Sequence, residues 1–313
     1  THQRNVVYAS DLTLWADSHA KRPENGRALL NLGLGYSRRG DQDQALDFLR
    51  RAEKISPDDA TITAAVGQVL FRAGRIEESL EALERALARD ADSWYVRLNY
   101  GNSLLAAGRV GEALAHLEFV RREEPYHPDI EFNLGNAYRE AGDVAQALAH
   151  YEEALRRDPE DLPARVNVAG MLRDAGRLEE AVGHYREGLR RFPASPELHS
   201  NYGLALAARG ETEAALTAFR EAIRLAPEAF ELRMNLILAL SELGRFSETL
   251  PHYAVVLELV PTTADLCNAY GVALAHAGEL VQARQWLRRA TELEPDLVEA
   301  QENLAAVERA LLQ

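Results

Sequence analysis

Four histidines in this sequence, His116, His150, His184 and His252, fall on multiples of a 34-residue interval, and a regular row of imidazoles invites a metal-binding reading. Geometry argues against it. Packed helices lie about 8–10 Å apart, whereas ligands of one zinc must each place a nitrogen about 2 Å from the ion. A surface row with weak pH sensitivity is the better expectation. Carboxylate pairs such as Glu77 with Glu78 and Glu179 with Glu180 stand where helices open, and there negative charge is favoured by the helix dipole. The Arg pairs at 50–51, 121–122 and 156–157 close helices by the same logic. Cys267, the single cysteine, has no histidine and acid in register to activate it. Neither a Gly-rich phosphate loop nor a nucleophile elbow is present. The expectation is therefore no catalytic residue, no metal and no cofactor. A second row offers different chemistry: Asn31, Asn99, Asn133, Asn167, Asn201, Asn235 and Asn303 keep the same interval, interrupted by Ala65 and Ala269. Each amide carries both donors and an acceptor, so such a row can pair with the backbone of an extended peptide whatever its side chains.

What must position these rows is the interval itself. Sliding the sequence by 34 residues aligns eight units without insertion, beginning at Gly26, Ala60, Trp94, Pro128, Leu162, Pro196, Phe230 and Ala264. Position 15 of the unit is glycine in all eight, where a helix would end in a left-handed residue. Position 32 is proline in seven, Ala91 being the exception, and proline cannot continue a helix interior. Each unit thus reads as helix, tight turn, helix, turn. Position 8 is glycine in six units, allowing the two helices to approach closely, with Ala169 and Ile237 breaking the rule. Alanine dominates positions 20 and 27, as at Ala45, Ala113, Ala52 and Ala86, which suits close crossings between neighbours. Tyr36 and Tyr138 at position 11, with Tyr151, Tyr185, Phe219 and Tyr253 at position 24, are expected core fillers.

Whole-chain composition agrees. With 47% hydrophobic and 27% charged residues, the 313-residue chain can bury an ample core, so wholesale disorder is excluded. Against 49 acids stand 35 Lys plus Arg, a net charge of -14 that repels phosphate backbones and anionic lipid, so nucleic acid is not an expected partner. Only Lys21 and Lys54 are lysines; the remaining positive charge is Arg, suited to bidentate pairing with carboxylates. No apolar stretch is long enough to span a bilayer and residues 1–25 lack a signal-peptide core, so the chain as given reads as soluble, without direct membrane insertion. It begins at Thr1 rather than Met, as a processed or excised chain would.

This pattern resembles the tetratricopeptide-repeat family over essentially the whole length. The resemblance implies an all-α, right-handed superhelical solenoid of antiparallel helix hairpins, with first helices lining a concave groove and second helices on the convex side. The expected organisation is an N-terminal segment and half-repeat helix (1–25), eight units (26–297) and a capping helix (298–313), because arrays must cover their open ends. In this family positions 2, 5, 6, 9, 12 and 13 line the groove. They give the expected peptide-binding set: the asparagines of position 6 from Asn31 to Asn235; Asn102 and Asn136 at position 9; Phe71, Tyr95 and Phe132; and Arg38, Arg72, Arg139 and Arg173. The asparagine row resembles the ladder of O-linked N-acetylglucosamine transferase. The alternative is that these amides bond neighbouring repeats or solvent. The lysine-rich clamp of chaperone-binding relatives is missing. Groove charge is uneven, with Arg27, Arg38 and Arg72 early and Glu197, Glu231, Glu242 and Asp265 late, a gradient able to orient a bound peptide. Trp94 joins the aromatic group but is expected to pack where Ala91 replaces proline.

The segment Arg4-Asn5, Asp11-Leu12-Thr13-Leu14-Trp15, Pro23-Glu24-Asn25 and Arg27-Ala28, leading into Asn31-Leu32-Gly33, is similar to the stretch that joins the last membrane helix to the repeats in O-mannosyltransferase-like transmembrane proteins of this family. Two readings follow. One is a protein-interaction scaffold binding polypeptide segments; the other is the extracytoplasmic, substrate-recruiting part of a membrane glycosyltransferase-like protein. Self-association into a homo-oligomer is a third. The compartment stays open between the extracytoplasmic side of a membrane and the cytoplasm.

Overall fold

The computed structural model describes residues 11–313. Arg4 and Asn5, which belong to the N-terminal resemblance, lie outside the described residues. Among the latter there are eighteen helices and no strand. The first is α1 (Asp11–Lys21). Hairpins then follow as α2 and α3 (Gly26–Arg38, Gln42–Ile55), α4 and α5 (Ala60–Arg72, Ile76–Arg89), α6 and α7 (Trp94–Ala106, Val110–Glu123), and α8 and α9 (Ile130–Glu140, Val144–Arg157). The series continues with α10 and α11 (Leu162–Asp174, Leu178–Arg191), α12 and α13 (Pro196–Ala208, Thr212–Leu225), α14 and α15 (Phe230–Glu242, Phe246–Leu259), and α16 and α17 (Ala264–His276, Leu280–Leu293), and closes with α18 (Val298–Ala310).

The hairpin turn follows from position 15. All eight glycines there have positive φ, between 69° and 87°, a conformation that an L side chain resists. In every case the next residue returns its N–H to a carbonyl five residues back, as Arg75 does to Leu70 (2.9 Å) and Arg177 to Leu172 (2.8 Å). This six-to-one bond satisfies a carbonyl that the helix end would orphan. First helices start under short polar caps: Asn25, Asp59, Ser93, Ser195 and Thr263 each accept from a backbone N–H two or three residues on. Several second helices open differently. Arg75, Arg109, Arg177 and Arg245, at position 16, fold the Nε–Nη2 edge of the guanidinium onto the glutamate three residues later, both nitrogens donating at 2.5–2.9 Å.

Within each hairpin, position 8 lies against position 24. A Cβ built on Gly33 or Gly67 would stand 2.5 Å from Leu49 or Leu83, and one on Gly135 or Gly203 within 2.6–2.7 Å of the Tyr151 or Phe219 ring. The aromatics expected at position 24 are indeed core: Tyr151, Tyr185, Phe219 and Tyr253 are all buried. Tyr36 and Tyr138 are half-buried and stack instead on a flat ring of the second helix, Tyr36 on Phe48 (5.3 Å) and Tyr138 on His150 (5.2 Å).

The described residues form two compact units, 11–164 and 165–313. In the first, Leu29, Ala52 and Ile62 form one buried cluster, with others built on Leu49, Val69 and Ala82 and on Leu117, Val120 and Ile130. In the second, Ile237, Tyr253 and Val256 anchor one cluster, while Val307 and Ala300 of α18 are buried with Leu287 and Ala290 of α17. The terminal helix therefore covers apolar surface that the last hairpin would otherwise present.

Two glycines should respond oppositely to an added methyl. Gly135→Ala overpacks against Tyr151, and the loss of about 1–3 kcal/mol exceeds the gain of about 1 kcal/mol in helix propensity. At Gly170 the nearest atom is the Tyr185 hydroxyl at 3.8 Å, so Gly170→Ala is expected to stabilise. Urea midpoints of the two variants should lie on opposite sides of wild type.

Candidate functional site

Position 6 carries the asparagine row, and its members are held in three ways. Asn31 and Asn99 donate their amide to a carbonyl one turn back in the same helix, Arg27 and Tyr95, both at 2.8 Å. Asn235 reaches the preceding repeat and donates to the Ser200 hydroxyl (2.9 Å), and Asn303 does the same to Asn268 Oδ1 (3.0 Å). Ser200 and Asn268 both stand at position 5, the only polar residues at that position in the eight units. Asn133 and Asn201 are half-buried and, among the described residues, make no side-chain hydrogen bond within the protein. Asn167 is half-buried and has a partner of its own. Asn99 is buried as well as bonded, so its amide is the least accessible of the row.

At position 9, Asn136 accepts from the Tyr151 hydroxyl (2.7 Å) and is thereby tied to its own hairpin, whereas Asn102 is half-buried without a side-chain bond. The aromatic group divides. Trp94 meets Tyr95 edge to face (6.0 Å) and packs on His127 (5.2 Å) in the following turn, beside the cluster of Leu98, Leu117 and Ile130, and not on the turn at Ala91 that lacks proline. Tyr95 donates to Gln68 (3.3 Å), and burial pushes its hydroxyl above the ordinary range. Phe132 packs on Tyr151 of its own hairpin (5.7 Å), and Phe71 is half-buried without a ring contact to the other three. Arg38 and Arg72 are exposed and form no ion pair among the described residues. Arg139 and Arg173 each pair with the adjacent acid, Glu140 (3.0 Å) and Asp174 (2.8 Å).

The histidine row proves to be half of a second constellation. Each of its members stands on a second helix whose partner first helix carries a charged residue at position 4: Arg97, Glu131, Arg165 and Arg233. Arg97 lies 3.3 Å from the His116 ring nitrogen and 4.0 Å over the Phe119 ring. Burial, and then the Arg97 charge, push His116 below its ordinary value; burial and Arg233 do the same to His252. Position 4 also ties neighbouring repeats together. Arg97, His199 and Arg233 bond the carbonyls of Ala91, Pro193 and Pro227, the position-32 residues that close the preceding units. Sequence reading missed this partnership, although the alternation of charge at position 4 against histidine at position 23 was there to be found.

Its most buried member is Glu131, only 3% exposed, bonded to His150 Nδ1 (2.7 Å) and to Arg157 (2.6 Å). Arg157 also binds Glu153 and the Pro125 carbonyl, both at 2.7 Å. Burial works to raise the Glu131 carboxyl, but the hydrogen bond from His150 and the charge of Arg157 outweigh it and hold the group below the usual carboxylate range. The cluster resembles an acid–base site in composition, yet its acid is fully engaged by these partners, which explains it as a clamp. Cys267 is buried, and burial raises its thiol. Among the described residues no group of three or more His, Cys, Asp or Glu is placed to hold a metal, and no helix is long and apolar enough to cross a membrane.

The turn chemistry, the glycine contacts and the 34-residue hairpin define one class of repeat protein. A family model described as tetratricopeptide repeat matches residues 14–60, 65–128 and 132–196, and a second of the same description matches 201–301. The chain belongs to the tetratricopeptide-repeat family. Among solved structures, it is similar to the C-terminal part of a TPR repeat-containing protein from Cytophaga hutchinsonii, with 16% identity, a TM-score of 0.64 and coverage of 77% of this chain and 99% of that one. It is also similar to YrrB, described as a TPR protein with an unusual peptide-binding site, with 21% identity, a TM-score of 0.50 and coverage of 62% and 97%. Comparison with curated proteins finds no match.

The Glu131 clamp makes a pH-dependent prediction. Because the folded carboxyl titrates below its unfolded value of about 4.3, its stabilisation is full above that value and is lost as pH falls through the folded one. Glu131→Gln should destabilise the fold by about 1–3 kcal/mol at pH 7, and by progressively less towards pH 3. Unfolding midpoints of both proteins across that range check it.

Proposed function

We propose that this chain is a protein-interaction scaffold whose first-helix face takes extended polypeptide segments, with the position-6 asparagines pairing to the segment's backbone. The observation that carries the reading is the state of Asn133 and Asn201: half-exposed amides, one in each compact unit, with no partner among the described side chains. A buried or half-buried amide with its hydrogen bonds unmade is unfavourable unless water or a ligand completes them. Asn31, with its donor fixed to its own helix, keeps the Oδ1 acceptor for a peptide N–H. Asn235 and Asn303 serve differently, since their donors brace one repeat against the next. The ladder so understood is a mixed row, part reader and part brace. The peptide-binding site ascribed to YrrB adds that a fold of this kind can do such work.

Backbone pairing implies tolerance of ligand sequence and adjacent side-chain subsites that supply what selectivity there is. The test is selection of binders from an unbiased peptide library, followed by affinity measurements on Asn133→Ala and Asn201→Ala. Each variant should weaken the peptides held by its own unit about fivefold, one hydrogen bond's worth, with circular dichroism unchanged. Equal affinity of wild type and both variants for every selected peptide would remove the ladder from the account.

A further inference from the structure

The second unit contains a hollow on this same face whose chemistry is unlike the rest of the row. Between α14 and α16 lies a cavity of about 400 Å³. It opens where the ladder lapses, because Ala269 occupies position 6 in place of asparagine. Its lining includes the buried Ile237 and Tyr253 together with Met234, Leu238 and Val272. Leu238 is 57% exposed, so the lining includes an apolar side chain that meets water. Two polar groups of the wall are already engaged: the Ser241 hydroxyl donates to the Ile237 carbonyl (2.8 Å), and Asn268 Oδ1 accepts from Asn303 (3.0 Å). Most of the lining is apolar, so an apolar side chain gains by leaving water here, whereas a polar one gives up part of its hydration.

The rim is acidic. Asp265 and Glu299, both at position 2, border the cavity, and the same position is acidic in the two preceding repeats, Glu197 and Glu231. All four are exposed. Glu231, Asp265 and Glu299 join no ion pair among the described residues, whereas second-helix acids of this unit such as Glu180, Glu187, Glu221 and Glu248 are each held by an arginine. An apolar hollow beneath unpaired carboxylates is complementary to one kind of ligand. We propose that it binds a polypeptide segment carrying a leucine-, methionine- or phenylalanine-class side chain flanked by lysine or arginine, the apolar group in the hollow and the basic groups on the position-2 acids. The inference rests on the peptide-binding reading of this face and adds to it a selectivity that the asparagines do not have.

The test uses three labelled nine-residue peptides in fluorescence anisotropy: alternating serine and lysine with one central leucine, the same with every lysine replaced by glutamate, and the same with leucine replaced by glutamine. The basic leucine peptide should bind at least about tenfold more tightly than either other, the glutamine change removing one apolar anchor and the glutamate change reversing the charge complementarity. In Asp265→Asn/Glu299→Gln its affinity should fall about three- to tenfold and lose most of its salt dependence, as expected for exposed pairs. Val272→Glu should abolish leucine preference, while Thr217→Glu, on a second helix, should change nothing. Equal affinity for all three peptides, or no binding of the basic one, overturns the inference. So does a dimer by light scattering that Leu238→Glu dissolves, since a second copy would then be the occupant. Asn201→Ala separates the two readings. If it weakens all three peptides equally and none is preferred, the ladder stands and the hollow falls; if preference persists unaltered by Asn201→Ala, the hollow stands without the ladder.

Discussion

One distance governs this molecule: the approach of the two helices in a hairpin, set by a missing Cβ at position 8 and a bulky residue at position 24. Leucine or an aromatic ring lies where the methyl of alanine would collide, as at Gly33, Gly101 and Gly203. Hairpins closed in this way present similar first-helix and second-helix surfaces, so chemistry placed at one register position recurs on one face. Rows of asparagine, acid or histidine acquire meaning only through this regularity. The same contact explains the complete burial of the Tyr151 and Phe219 rings, which lie against Gly135 and Gly203.

The two faces handle charge differently. On second helices, acids and arginines lie three or four residues apart and satisfy each other, as Arg177 with Glu180 and Arg190 with Glu187. Such pairs add little individually to stability, but they leave the surface locally neutral. Between repeats, the position-4 groups bond the carbonyls of the preceding turn, which joins stacking to hydrogen bonding at the point where position 32 would otherwise leave an orphan acceptor. On first helices of the second unit, the position-2 acids Glu231, Asp265 and Glu299 join no ion pair among the described residues. Net negative charge is thus not spread evenly; it is available where a partner would meet it.

Much of this was legible in the sequence, for a physical reason. Helix ends depend on local backbone demands, and glycine at position 15 with proline at position 32 states those demands openly. The position-24 core followed from periodicity. Side-chain partnership did not, because it depends on which residue stands opposite in another helix. Asn133 and Asn235 look identical in register, yet the second has a hydroxyl at Ser200 to bond and the first faces Leu98 and its neighbours at the equivalent place. Phe132 and Tyr95, grouped by position, diverge because Phe132 finds Tyr151 nearby. The hollow beside Ala269 was visible only as an interruption, since depth arises from Ile237, Tyr253 and Leu238 acting together.

The hairpin of α14 and α15 departs from the pattern twice. Ile237 stands where six other units have glycine, and Pro251 lies inside α15, where it has no N–H to return to the preceding turn. In a linear array each unit is supported only by those beside it, so cooperativity is set locally rather than by the whole. This hairpin is accordingly expected to open first, its amide protons exchanging before those of α12 and α16. A ligand lodged between α14 and α16 would bridge that soft link to its firmer neighbour. Occupancy and local order would then form a single equilibrium, and such a ligand would stiffen the array at that hairpin.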